Sequence, residues 1–97
     1  MKVITPLAWA REEVFSLVIY IRQGITETDK AKAGVWNRDM LDQVISEKGI
    51  YYLPYQIHAS QTQFEKAYLN SKNFFELKKK IDPSYRFKNK LWERYLP

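Results

Sequence analysis

The sequence predicts an α+β fold: a small antiparallel sheet packed on one long helix, followed by short C-terminal helices. Three observations predict it. Residues 13–22 are rich in β-branched and aromatic side chains, the composition of a strand. Residues 27–48 carry apolar side chains at helical spacing, with Thr26 before them and Gly49 after. Residues 50–56, Ile-Tyr-Tyr-Leu-Pro-Tyr-Gln, repeat the strand composition. With 97 residues and no linker or repeat, residues 1–97 are expected to form a single domain.

Each element has its own reason. Residues 3–11 contain Pro6 and no sustained period, so they read as a loop or short arm anchored by Trp9. In a strand over 13–22, Phe15, Leu17, Ile19 and Ile21 fall on one face, with Val14, Val18 and Tyr20 on the other. A strand apolar on both faces is covered on both sides, which predicts a central strand. Gln23-Gly24 ends it. Thr26 or Thr28 then caps the long helix, with Glu27 and Asp29 placed where the helix dipole favours acids. Ala33, Trp36, Met40, Leu41, Val44 and Ile45 fall on one half of its circumference and predict the core face. Gly49 ends it as a glycine just past the helix.

Pro54 lacks a ladder donor, so residues 50–56 predict an edge strand or one that stops there. Ser60 and Gln63 have the capping-box form and start a helix to Leu69, with Phe64, Ala67 and Tyr68 on one face. A further helix begins at Asn70 or Ser71 and turns Phe74, Leu77, Lys78 and Ile81 inward. Asp82-Pro83 breaks it. Residues 88–95 make a last turn or two, with Leu91, Trp92 and Tyr95 together. Two strands are too few for a stable sheet. The sequence therefore predicts a partner chain, or a homo-oligomer whose sheet runs across the interface.

Composition excludes several classes of function. Without cysteine there is no disulfide, thiolate nucleophile or zinc knuckle, which fits a reducing compartment and a cytoplasmic location. The single histidine, His58, excludes paired-histidine metal sites, and no metal ligand set is expected. Gly24, Gly34 and Gly49 are too scattered for a glycine-rich phosphate loop. No apolar run approaches the roughly 18 residues of a membrane span. Glu12 and Glu13 would point to opposite faces of a strand and form no catalytic pair. Asp39 and Asp42 read as an outer helix face paired with Arg38 or Lys30.

The net charge of +5 is not evenly spread. Residues 1–71 hold eight basic and eight acidic side chains, whereas residues 72–97 hold eight basic and three acidic ones. Phe74, Phe75, Tyr85, Phe87, Trp92 and Tyr95 interleave with that basic stretch. Such a segment reads as a solvated helical terminus with docked aromatics. It also keeps open a non-enzymatic binding module for nucleic acid or an acidic protein partner. The Lys78-Lys79-Lys80 run sits near a helix C-terminus, where the dipole favours cations.

Two stretches carry a resemblance. The first is Tyr51-Tyr52-Leu53-Pro54-Tyr55-Gln56-Ile57-His58 with the helix bearing Phe64, Ala67 and Tyr68. The second is Phe74-Phe75-Glu76-Leu77-Lys78 followed by Asp82-Pro83 and then Phe87-Lys88-Asn89. Together they resemble the C-terminus of FAD-linked oxidoreductases of the vanillyl-alcohol-oxidase-like superfamily, including aldonolactone, alditol and decaprenylphosphoryl-ribose oxidases. Pro6 to Arg11 and the strand after them look like the preceding segment of the cap domain. The resemblance implies a flavoprotein cap segment that shapes a substrate pocket over FAD. Tyr52 and Tyr55 fall where related sugar oxidases place pocket residues, and Gln56 and His58 follow them toward flavin and substrate. Tyr55, a lysine in some relatives, would offer its hydroxyl to the flavin as a cofactor-binding group. It is expected to be partly accessible, without a main-chain partner. These 97 residues hold no counterpart of the FAD-wrapping domain. FAD therefore belongs to the intact family context, with none expected on this chain alone. A flavin-binding domain would have to join it before it could act as an oxidoreductase, and no catalytic residue is singled out.

Overall fold

A computed structural model of the chain describes residues 7, 8, 10, 12–53 and 57–96. Among them the regular elements are four helices: α1 (Glu27–Ser46), α2 (Gln61–Ala67), α3 (Ser71–Ile81) and α4 (Lys90–Tyr95). No strand is present among the described residues, so the expected α+β class is corrected to an all-helical architecture. Residues 14–24 have no regular structure, and Val14, Phe15, Leu17, Val18, Ile19, Tyr20 and Ile21 are exposed. Residues 50–53 also form no strand, and Pro54, Tyr55 and Gln56 lie outside the described residues, as do Pro6 and Trp9. The physical reason is that strand composition is only a tendency to fit a half-buried pleated surface. A strand exists when a second one supplies its hydrogen bonds, and nothing in the described residues does. The homo-oligomer expected to extend a sheet across its interface is corrected with it, because the described residues offer no sheet edge to extend.

The helix starts follow local chemistry. Thr26 caps α1 by accepting from the Asp29 N–H at 3.1 Å, and Glu27 and Asp29 occupy the first turn. Ser60 and Gln63 form the full capping box on α2: Ser60 Oγ accepts from Gln63 N–H, and Gln63 Oε1 accepts from Ser60 N–H. Asn89 caps α4 by accepting from Trp92 N–H at 3.0 Å.

The end of α1 departs from expectation. The left-handed residue is Lys48, at φ 61°, and Gly49 follows it. Gly49 N–H donates to Val44 O at 2.8 Å, the long bond of a Schellman turn. A Cβ on Gly49 would lie 2.7 Å from Val44 Cγ1, so this glycine is required by close approach. Lys48, in contrast, carries a side chain in a conformation that glycine adopts without cost. Lys48→Gly is expected to stabilise the chain by about 0.5–1 kcal/mol, measured by urea unfolding.

The core is small and aromatic. Leu41, Ala59, Phe64, Ala67, Tyr68, Phe75 and Tyr95 are buried, which bears out the predicted α2 face of Phe64, Ala67 and Tyr68. Phe64 is its centre: its ring stacks on Tyr95 at 4.3 Å and meets Tyr68 at 5.7 Å and Phe75 at 5.9 Å. Phe74 and Phe75 pack on Trp92, each at 5.1 Å, and so tie α3 to α4. The long helix contributes less than its spacing predicts. Leu41 is buried and Ile45 packs on the cluster, but Trp36 is 43% exposed. In the first half of α1, Val35 is likewise exposed. On α3 the predicted inner face is also shifted: Phe75 is buried, while Leu77 and Ile81 are exposed.

Candidate functional site

The segment from Tyr51 to Ser60 carries the predicted site residues, and its ends are held to the helical body by backbone groups. The Tyr68 hydroxyl donates to Tyr51 O. Arg38 of α1 donates to His58 O at 3.2 Å. Ala59 O accepts from the Tyr95 hydroxyl at 2.8 Å and from Arg94 at 3.4 Å. Ser60 is fixed by its capping box. Three elements therefore clamp one segment: α1 through Arg38, the C-terminal end of α2 through Tyr68, and α4 through Arg94 and Tyr95.

Gln63 braces this arrangement from below. It is 6% exposed, and its amide donates to Arg38 O at 2.8 Å and to Asp42 Oδ1 at 2.7 Å. Its amide oxygen serves Ser60, so both ends of a buried side chain are satisfied. Asp42 thus faces α2, and the expectation that it pairs outward with Arg38 or Lys30 is corrected. Gly34 is buried where α1 meets this segment: a Cβ there would lie 3.4 Å from His58 Nδ1 and 3.1 Å from Arg38 Nη1.

Of the predicted site residues, Tyr52 is 43% exposed and His58 is half-buried against α1. Tyr55 and Gln56 lie outside the described residues, and so does the expected open position of the Tyr55 hydroxyl. Tyr51, which sequence reasoning passed over, turns inward and meets Tyr68 edge-on at 5.7 Å. Its hydroxyl is buried without a hydrogen-bond partner among the described residues. Burial, with Tyr95 beside it, pushes that phenol far above its ordinary value. Burial also raises Tyr95. Both remain neutral at physiological pH, Tyr51 as a packing group and Tyr95 as a donor to Ala59 O.

The turn between α3 and α4 holds the second half of the resemblance, and Lys78, Asp82 and Asn89 have structural tasks in it. Asp82 ends α3, and its carboxylate accepts from Arg86 N–H at 2.9 Å and Phe87 N–H at 3.0 Å. Lys78 bridges the Asp82 carboxylate and Phe87 O, and its ammonium lies 5.3 Å from the Trp92 ring centroid. Hydrogen bonding from Lys78, then from the Phe87 and Arg86 backbone, holds the Asp82 carboxyl down to about 2. Lys78 therefore does more than answer a helix dipole. Sequence reasoning missed this lock, although Asp-Pro after a lysine one turn earlier was the signal available.

Among the described residues no group of histidine, cysteine or carboxylate side chains could hold a metal ion, and no helix is long and apolar enough to cross a membrane. Two open clefts of about 400 and 410 Å³ flank Trp36 on α1, and neither is lined by a predicted site residue. No protein-family model matches the chain, and the comparisons with curated proteins and with solved structures return no match.

Proposed function

We propose that this chain is the C-terminal substrate-cap segment of an FAD-dependent oxidoreductase of the sugar, alditol or lactone oxidase type, working with a polypeptide that holds the flavin. One observation carries the reading. The stretch whose tyrosines resemble pocket residues is clamped at Tyr51, His58, Ala59 and Ser60, and Tyr52 between the clamps is 43% exposed. A pocket wall must be held by its supports before the ligand arrives, and this segment is built that way. The turn locked by Lys78 and Asp82 gives the other half of the resemblance a matching structural task.

FAD does not fit on the described residues by themselves. The clefts on α1 are open, and they lack a glycine-rich turn with convergent backbone donors for a pyrophosphate. When bound elsewhere, the flavin supplies hydride chemistry at a carbinol carbon. The part left to this chain is shape and orientation, with Tyr52 contacting substrate and His58 held against α1 by Arg38.

The test is reconstitution. The chain is mixed with the flavin-loaded domain of an alditol-oxidase-like enzyme that lacks its own C-terminal segment. Sugar-dependent bleaching of the flavin is expected to return, and Tyr52→Ala is expected to lower it without changing the far-UV circular dichroism. Bleaching no greater than that of the domain alone would reject the reading. The chain by itself is expected to purify colourless and to bind FAD no tighter than about millimolar. A flavin absorbance band that survives gel filtration would contradict that.

A further inference from the structure

We propose that the end of the molecule formed by the last turn of α3 and the turn after it docks on an anionic membrane surface. Phe87, Ile81 and Leu77 would enter the boundary between headgroups and acyl chains, while Lys80, Arg86 and Lys88 meet the lipid phosphates. The proposal does not depend on the flavin reading.

Three observations carry it. The first is an aromatic held in the open. The Phe87 backbone is fixed at both its N–H and its carbonyl by Asp82 and Lys78, yet the residue is 76% exposed. A turn this well anchored does not bury its own largest apolar side chain. Second, α3 continues the same apolar character outward. Leu77 and Ile81 stand one turn apart, 50% and 74% exposed, at the end where Phe87 is anchored. The third is charge. Residues 72–97 hold eight basic side chains, of which Lys78 is engaged with Asp82 and the other seven are exposed. Only Glu76 and Glu93 oppose them from the same stretch as exposed acids.

The mixture of side chains selects the occupant. A single-stranded nucleic acid would use Phe87 for stacking but finds no further π-face in Leu77 or Ile81. Exposed aliphatic side chains, an exposed aromatic and exposed cations at one end of α3 and in the turn after it match the layering of an anionic lipid surface.

The test is flotation of the full chain with phosphatidylcholine vesicles, with and without about one-third phosphatidylglycerol. The wild-type chain is expected to float with the anionic vesicles at least about tenfold better than with neutral ones, and less well in high salt. Phe87→Ser with Ile81→Ser is expected to lose that binding with its circular dichroism unchanged. Lys80→Glu with Lys88→Glu should weaken it by about tenfold or more. Failure of the wild-type chain to float overturns the proposal. So does unchanged flotation of the serine variant, which would put the contact on the exposed 14–21 stretch. Tighter binding of a single-stranded oligonucleotide, lost in the same variants, would overturn it in favour of nucleic acid.

Discussion

Phe64→Ala is expected to remove a large share of the stability of this chain. Phe64 is 0% exposed and lies in the aromatic cluster with Tyr68, Phe75 and Tyr95. Truncating a buried phenylalanine costs about 3–5 kcal/mol, through lost transfer energy and the cavity that remains. A domain of this size has only about 5–15 kcal/mol in total, so the loss is a large share of it. The rings around Phe64 come from the α2 end at Tyr68, from α3 and from α4, and the described residues form no second buried cluster to take up the loss. Urea unfolding followed by tyrosine and tryptophan fluorescence should show a midpoint far below wild type, or no folded baseline. Leu69→Ala, on a side chain 72% exposed, is the control and should stay within about 0.5 kcal/mol. Similar losses for the two variants would mean that the aromatic stack is not the core.

Acid should unlock the turn between α3 and α4. The Asp82 carboxyl is held at about 2 in the folded chain, against an ordinary value of 3.8. A group depressed on folding adds stability above its unfolded value, and that stability is lost as pH falls through the folded value. The contribution of Asp82 is therefore complete above about pH 4 and fades between pH 3.8 and about 2. Its loss frees the Arg86 and Phe87 N–H groups and leaves Lys78 without its carboxylate. Asp82→Asn keeps the shape but discards the charge. It should be less stable than wild type at neutral pH, and the gap should narrow as pH falls toward 2. Amide exchange at Arg86 and Phe87 reports the same event locally and should be faster in the variant at pH 7. A gap that stays constant from pH 7 to pH 2 would show that the carboxylate charge does not hold the turn.

The candidate site was legible in part. The sequence pointed to the stretch around Tyr52 and His58 and to the lysine and Asp-Pro that follow. Strand alternation puts Tyr51 and Tyr52 on opposite faces, and the two do differ, Tyr51 half-buried and Tyr52 exposed, although the described residues form no strand there. Gln63 was legible as a capping residue, since its bond to Ser60 spans three residues. Its bonds to Arg38 and Asp42 cross more than 20 residues and had no local signature.

What the sequence determined by itself is the set of helices and where they begin and break. Thr26, Ser60 with Gln63, and Asp82-Pro83 act through hydrogen bonds and steric limits within a few residues. Their outcome is therefore written in the chain at that spot. What only the tertiary structure decided is which apolar stretches find cover. Residues 14–21 and the tyrosine-rich stretch have strand composition, but a ladder requires a second edge, and the described residues supply none. Trp36, Leu77 and Ile81 sit on faces that helical spacing marks as apolar, yet they remain exposed. The buried aromatics of α2, α3 and α4 pack on one another instead, with Leu41 from α1, and so small a core has no surface left to cover the rest.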